Sequence, residues 1–142
     1  MGSESQMASR EFLLECEHAF AFLIQACGFA GPDSDYSMPG IYTVLFSKGQ
    51  VGIECTLEDR DDDVSVKIVR MRNKEKPTNY RLDEKGLLVR EYLTKLLLQR
   101  GIRDLSFPAA EPQPCLSPRR SRYRAALTGY ARMIHTYCPN LL

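Results

Sequence analysis

Asp59, Asp61 and Asp63 stand at alternate positions of the stretch LEDRDDDVSVK. This is the spacing at which a D-x-D-x-D loop offers its first three ligands to calcium. Such a loop also needs glycine at its sixth position, for a sharp turn, and a bidentate glutamate at its twelfth. Those positions hold Val64 and Arg70. A β-branched residue resists the turn and a guanidinium replaces the closing ligand, so the pattern fails on mechanism. Glu58, Asp59, Asp61, Asp62 and Asp63 are therefore read as the hydrated tip of a hairpin, with no metal bound.

Zinc fares no better. On a helix Cys16 and His18 point about 200° apart and cannot share one ion. His135 and Cys138 can share a face, but they precede Pro139 and have no second ligand pair of known spacing. A nucleophilic cysteine needs a base and an electropositive, partly open setting. Cys115 and His135 are the pair outside apolar positions, and nothing near either supplies an orienting group. No G-x-S-x-G, phosphate-cradling glycine loop or H-E-x-x-H occurs. The residues thus nominate no catalytic group and no cofactor site. An enzyme of unknown reaction stays open only if folding assembles a pocket of convergent polar groups.

The run SPRRSRYRAAL is the strongest positive pattern. Arg119, Arg120, Arg122 and Arg124 cluster where a helix should begin, with Tyr123 among them for stacking on bases. Cations at a helix N-terminus oppose the macrodipole, which hints at a purpose. They splay around the helix instead of forming a stripe, so pairing with the protein's own acids explains them equally well. Charge distribution allows it. Residues 1–63 carry 3 basic and 12 acidic side chains, and residues 64–142 carry 16 basic and 6 acidic ones.

The elements that must position these groups follow from periodicity. Ser9 can cap a helix over Arg10–Cys27 stopped by Gly28, with Phe12, Cys16, Phe20 and Leu23 on its apolar face. Glu11, Glu15 and His18 make the polar face, where Phe22 is out of place; cover by another segment of the same chain is the favoured reading, and contact with a partner is the alternative. After the Gly/Pro/Asp-rich linker GPDSDYSMPG come three strands, IYTVLFSK, VGIECTLE and VSVKIVRM. In the second, Val51, Ile53, Cys55 and Leu57 alternate with Gly52, Glu54, Thr56 and Glu58, the mark of one buried and one wet face. Short connections pair them as an antiparallel meander, with a fourth strand open at Tyr80–Leu82. A second helix spans Glu84–Arg100 and stops at Gly101. The proline-rich connection 105–118 leads to a third helix capped by Ser117-Pro118, whose seam is Tyr123, Leu127, Tyr130, Ile134 and Tyr137. That seam packs inside the fold or, alternatively, makes a homodimer.

A chain of 142 residues with 44% hydrophobic and 26% charged side chains suits one globular domain. The expectation is an α+β fold over residues 8–138, with a three- or four-stranded antiparallel meander packed on three helices, behind a disordered leader at 1–7. No apolar run reaches membrane-span length, and the start MGSESQMASRE holds no signal-type segment. Five scattered cysteines without a C-x-x-C pair fit free thiols in a cytoplasmic protein.

With this layout in place, FLLECEHAFAFLIQACGFAGP and VGIECTLEDRDDDVSVKIVR resemble stretches of small uncharacterised bacterial proteins, some of them toxin-immunity or accessory families. The resemblance covers residues 9–70 and includes the Gly28-Phe29 step. It implies a binding role and carries over no functional residue. The expected function is a protein-binding or accessory module acting by surface contact, through Glu58–Asp63 and Arg119–Arg124. A nucleic-acid binder using the basic helix start is the alternative.

Overall fold

The computed structural model describes residues 3–71, 90–103 and 116–139. Among these residues five strands form one antiparallel sheet in sequence order: β1 (Ala30–Met38), β2 (Ile41–Lys48), β3 (Val51–Glu58), β4 (Asp63–Arg70) and β5 (Arg90–Tyr92). The helices are α1 (Ser3–Ala19), α2 (Ala21–Gln25), α3 (Leu93–Gln99) and α4 (Pro118–Tyr137). The fold is α+β, as composition and alternation lead one to expect, with more elements than periodicity resolves.

Cross-strand register separates the faces of the sheet. Tyr42, Val44 and Phe46 pair with Leu57, Cys55 and Ile53, which pair in turn with Val64, Val66 and Ile68. These rows meet Phe12, Cys16 and Phe20 of the first helical segment, Leu93 and Leu97 of α3, and Leu127 and Ile134 of α4 in one core. The seam of α4 thus serves the inside of the chain. The half-buried Phe22 sets its ring edge-on to His135 of α4, 6.0 Å between centroids. Cover comes from the same chain.

Four departures from the sequence expectation have physical causes. The first helix begins at Ser3, inside the expected leader, and breaks at Phe20, whose φ of −109° and ψ of 17° start a new short helix. The break turns Phe20 onto Phe46, with ring centroids 5.6 Å apart, and Leu23 into the core. The linker GPDSDYSMPG contributes β1, an edge strand. Pairing with β2 overrides poor strand propensity, and two register shifts accommodate the irregular residues. Gly31 is required there, because its φ is +122° and an added Cβ would lie 2.7 Å from the Leu45 carbonyl oxygen.

The expected helix Glu84–Arg100 is a strand over Arg90–Tyr92 before it turns helical at Leu93. Ladder pairing of Lys67, Ile68 and Val69 with β5 captures its start. Lastly, the second face of β3 is not wet. Glu54 and Thr56 are each 3% exposed, and Arg90 Nε lies 3.2 Å from Glu54 Oε1. A small apolar cluster of Leu45, Val69 and Met71 shares that face. The expected strand at Tyr80–Leu82, helix residues 84–89 and the proline segment up to Cys115 lie outside the described residues.

Candidate functional site at the hairpin tip and the start of the last helix

The β3–β4 connection turns at Asp62, whose φ of 51° makes it the non-glycine residue in the left-handed region among the described residues. Aspartate tolerates this conformation better than most side chains. The turn aims its carboxylate at α4. Oδ1 accepts from the Tyr123 hydroxyl at 2.7 Å, and Oδ2 accepts from Arg122 Nη2 at 3.0 Å. Burial, and then this hydrogen bond to a carboxylate, push the Tyr123 phenol well above its ordinary value.

Asp59 ties the other flank of the tip. Its backbone N–H donates to the Gly40 carbonyl at 3.0 Å, and its Oδ2 accepts from the Tyr36 hydroxyl at 3.1 Å. The Gly40 N–H closes the set by donating to the Tyr36 oxygen at 3.3 Å. Glu58, Asp61 and Asp63 are exposed. Asp59, Asp61 and Asp63 do not converge on one point as calcium ligands. Among the described residues, no group of three or more histidine, cysteine or carboxylate side chains is placed to hold a metal ion.

The arginines resolve around Glu15, which sequence periodicity places on the wet face of the first helix. Glu15 is instead 0% exposed. Its Oε2 accepts from Arg120 Nε at 2.9 Å and Nη2 at 2.7 Å, and its Oε1 accepts from Arg124 Nε at 2.7 Å. Two guanidiniums thus share one buried carboxylate, each using the planar fork that suits such a partner. Beside them the Ser117 hydroxyl donates to Glu11 Oε2 at 2.8 Å and accepts the Arg120 N–H at 3.1 Å, the bond of an N-cap. Helix α4 has no acidic residue in its own first turn. Glu11, Glu15 and Asp62, from other elements, supply the negative charge that a helix N-terminus favours.

The expected contact residues are therefore brought to one end of the molecule. Arg120, Arg122, Arg124 and Asp62 are joined in pairs across it, Asp59 is anchored, and Glu58, Asp61 and Asp63 remain at the surface. Arg119 is partly buried. Glu15 was the residue that periodicity missed. Its only trace in the sequence is the excess of arginines at a helix start lacking acids of its own.

The thiols and histidines occupy other places. Cys16 and Cys55 are fully buried and meet each other in the core, where burial above all pushes the Cys16 thiol up. Such a thiol is a poor nucleophile. His135 is exposed on α4, and Cys115 lies outside the described residues. At the opposite end of the sheet, a cleft of about 280 Å³ is lined by Val51, Ile68, Leu96, Arg70, Arg90 and Glu91. Glu91 Oε1 accepts the Tyr92 N–H at 2.9 Å, and Oε2 lies 3.8 Å from Lys95 Nζ.

Comparison with protein-family models, curated proteins and solved structures gives no match. Among the described residues, no helix is long and apolar enough to cross a membrane.

Proposed function

We propose that this chain is a small protein-binding or accessory module that acts by surface contact, through the acidic end bearing Glu58, Asp61 and Asp63. The observation that carries this reading is the division of labour among the charges. Arg120, Arg122 and Arg124 are engaged by Glu15 and Asp62, while three carboxylates of the tip stay exposed. Exposed charge at this end is thereby biased to the negative, which favours a partner with a basic surface and disfavours a polyanion such as nucleic acid. The basic helix start, with Arg119 and Arg122 at its margin, supports the surface and fixes its orientation. Free, largely buried thiols suit a reducing cytoplasm as its setting.

The test compares the immobilised full chain with a Glu58→Lys, Asp61→Lys, Asp63→Lys variant, each exposed to native lysate. Asp62 is left intact because its reversal would break the contact with α4. A defined protein retained by the parent and lost by the variant supports the reading. Equal capture by both overturns it. Retention of nucleic acid that falls steeply with salt and with loss of Arg119 and Arg122 would assign the alternative class.

A further inference from the structure

Among the described residues β1 is the outermost strand on its side of the sheet, and no strand pairs with its outward edge. Between its two register shifts, Asp33, Ser34 and Asp35 pair in regular order with Leu45, Val44 and Thr43. This stretch keeps the ladder geometry that another strand could extend. Asp33 and Asp35 are exposed, and they share the face of Leu45 and Thr43, away from the helices. Two apolar side chains follow along the same edge: Tyr36, 43% exposed, and Met38, 52% exposed. The bond from Tyr36 to Asp59 makes the edge continuous with the acidic tip.

Irregular, charged edges ordinarily serve to prevent pairing. Two features here go beyond that purpose. The charge has one sign and runs on into Glu58, Asp61 and Asp63, with Arg60 the cation within the tip. Protection would also favour a polar side chain where Met38 stands.

We propose that the β1 edge receives an extended basic segment of a partner protein, added as a further strand. Its Lys or Arg side chains would face Asp33 and Asp35, and its alternate apolar side chains would cover Tyr36. The proposal rests on the acidic end being a protein-contact surface, and it adds the chemistry and backbone form of what binds there. Charge complementarity selects the occupant. Main-chain hydrogen bonds supply affinity, and the alternation of the strand supplies register.

The experiment titrates the full chain with a synthetic peptide of alternating lysine and valine, followed by fluorescence anisotropy and by hydrogen exchange. One control peptide alternates glutamate and valine; another is the lysine–valine peptide N-methylated at every internal residue, which keeps charge and removes donors. The lysine–valine peptide is expected to bind and to protect those amides of residues 33–36 that point away from β2. N-methylation, or the Asp33→Asn variant, is expected to lower affinity about tenfold or more, with the variant's Tm unchanged. Absence of binding, binding that survives N-methylation, or protection confined to other residues would overturn the proposal. A loss of peptide affinity in the Glu58→Lys, Asp61→Lys, Asp63→Lys variant without any effect of N-methylation would leave the contact surface standing and remove strand addition.

Discussion

The Tyr123 hydroxyl donates to Asp62 Oδ1 over 2.7 Å, joining the last helix to the left-handed residue of the β3–β4 turn. The bond spans 61 positions of sequence, and it closes the acidic hairpin onto the basic helix start. The same carboxylate takes Arg122 on its other oxygen. Asp62 is therefore an internal fastener, unlike its neighbours Asp61 and Asp63.

This bond makes stability fall at alkaline pH. The folded state holds the Tyr123 proton more tightly than the unfolded chain, whose phenol titrates near 10. The contribution is fully present below that value and is lost as pH rises through it towards the folded value. Tyr130, also pushed up by burial, adds a slope of the same sign. Urea titrations between pH 8 and roughly 11 should show the decline. Tyr123→Phe should cost about 1 kcal/mol at neutral pH and flatten the alkaline slope.

Removing the Glu15 charge should be more damaging than its place on a helix suggests. Glu15→Gln leaves Arg120 and Arg124 without their shared counter-ion, and an expected loss of about 2–4 kcal/mol follows. Replacing the three together, as Glu15→Met, Arg120→Met and Arg124→Met, should recover much of that loss, because apolar packing substitutes well for buried ion pairs. Urea midpoints of the two variants decide the matter. If the single variant matched the parent, Glu15 would have no role in docking α4.

Gly31→Ala should loosen the edge strand. A Cβ there meets the Leu45 carbonyl oxygen, and the backbone conformation is one that alanine resists. The expected cost is on the order of 1–3 kcal/mol, with faster hydrogen exchange confined to β1 and the outer side of β2. Uniformly faster exchange throughout the sheet would instead indicate global destabilisation.

Ser117→Ala removes both the N-cap acceptor and the donor to Glu11. A loss of about 1 kcal/mol is expected, visible in the thermal midpoint. Ser117→Asp keeps the cap acceptor but faces Glu11 with a like charge. It should be less stable than an isolated cap would suggest, most clearly at low salt.

Strand alternation and helical spacing made much of the core legible in advance. Ile53, Cys55 and Leu57 were all recoverable from local pattern, as were Leu127 and Ile134 of α4. Capping chemistry located Ser117 at the start of α4, and Gly28 and Gly101 both take the positive φ of chain stops. β1 was not legible, because glycine, proline, aspartate and serine signal a linker until β2 lies alongside. The start of α3 was hidden for the same reason: Arg90–Tyr92 fits a helical pattern, and only the ladder with β4 makes it a strand.

Local composition by itself determined that five carboxylates would crowd one turn and four arginines one helix start, because those facts are one-dimensional. Tertiary structure decided what the charges do. Whether a carboxylate is hydrated or buried depends on which distant element packs over it. That choice turned Glu15 and Asp62 into partners for arginines more than 50 positions away. Coulombic and hydrogen-bond energies depend on distance in space, and no periodicity along the chain encodes a contact of that sequence separation.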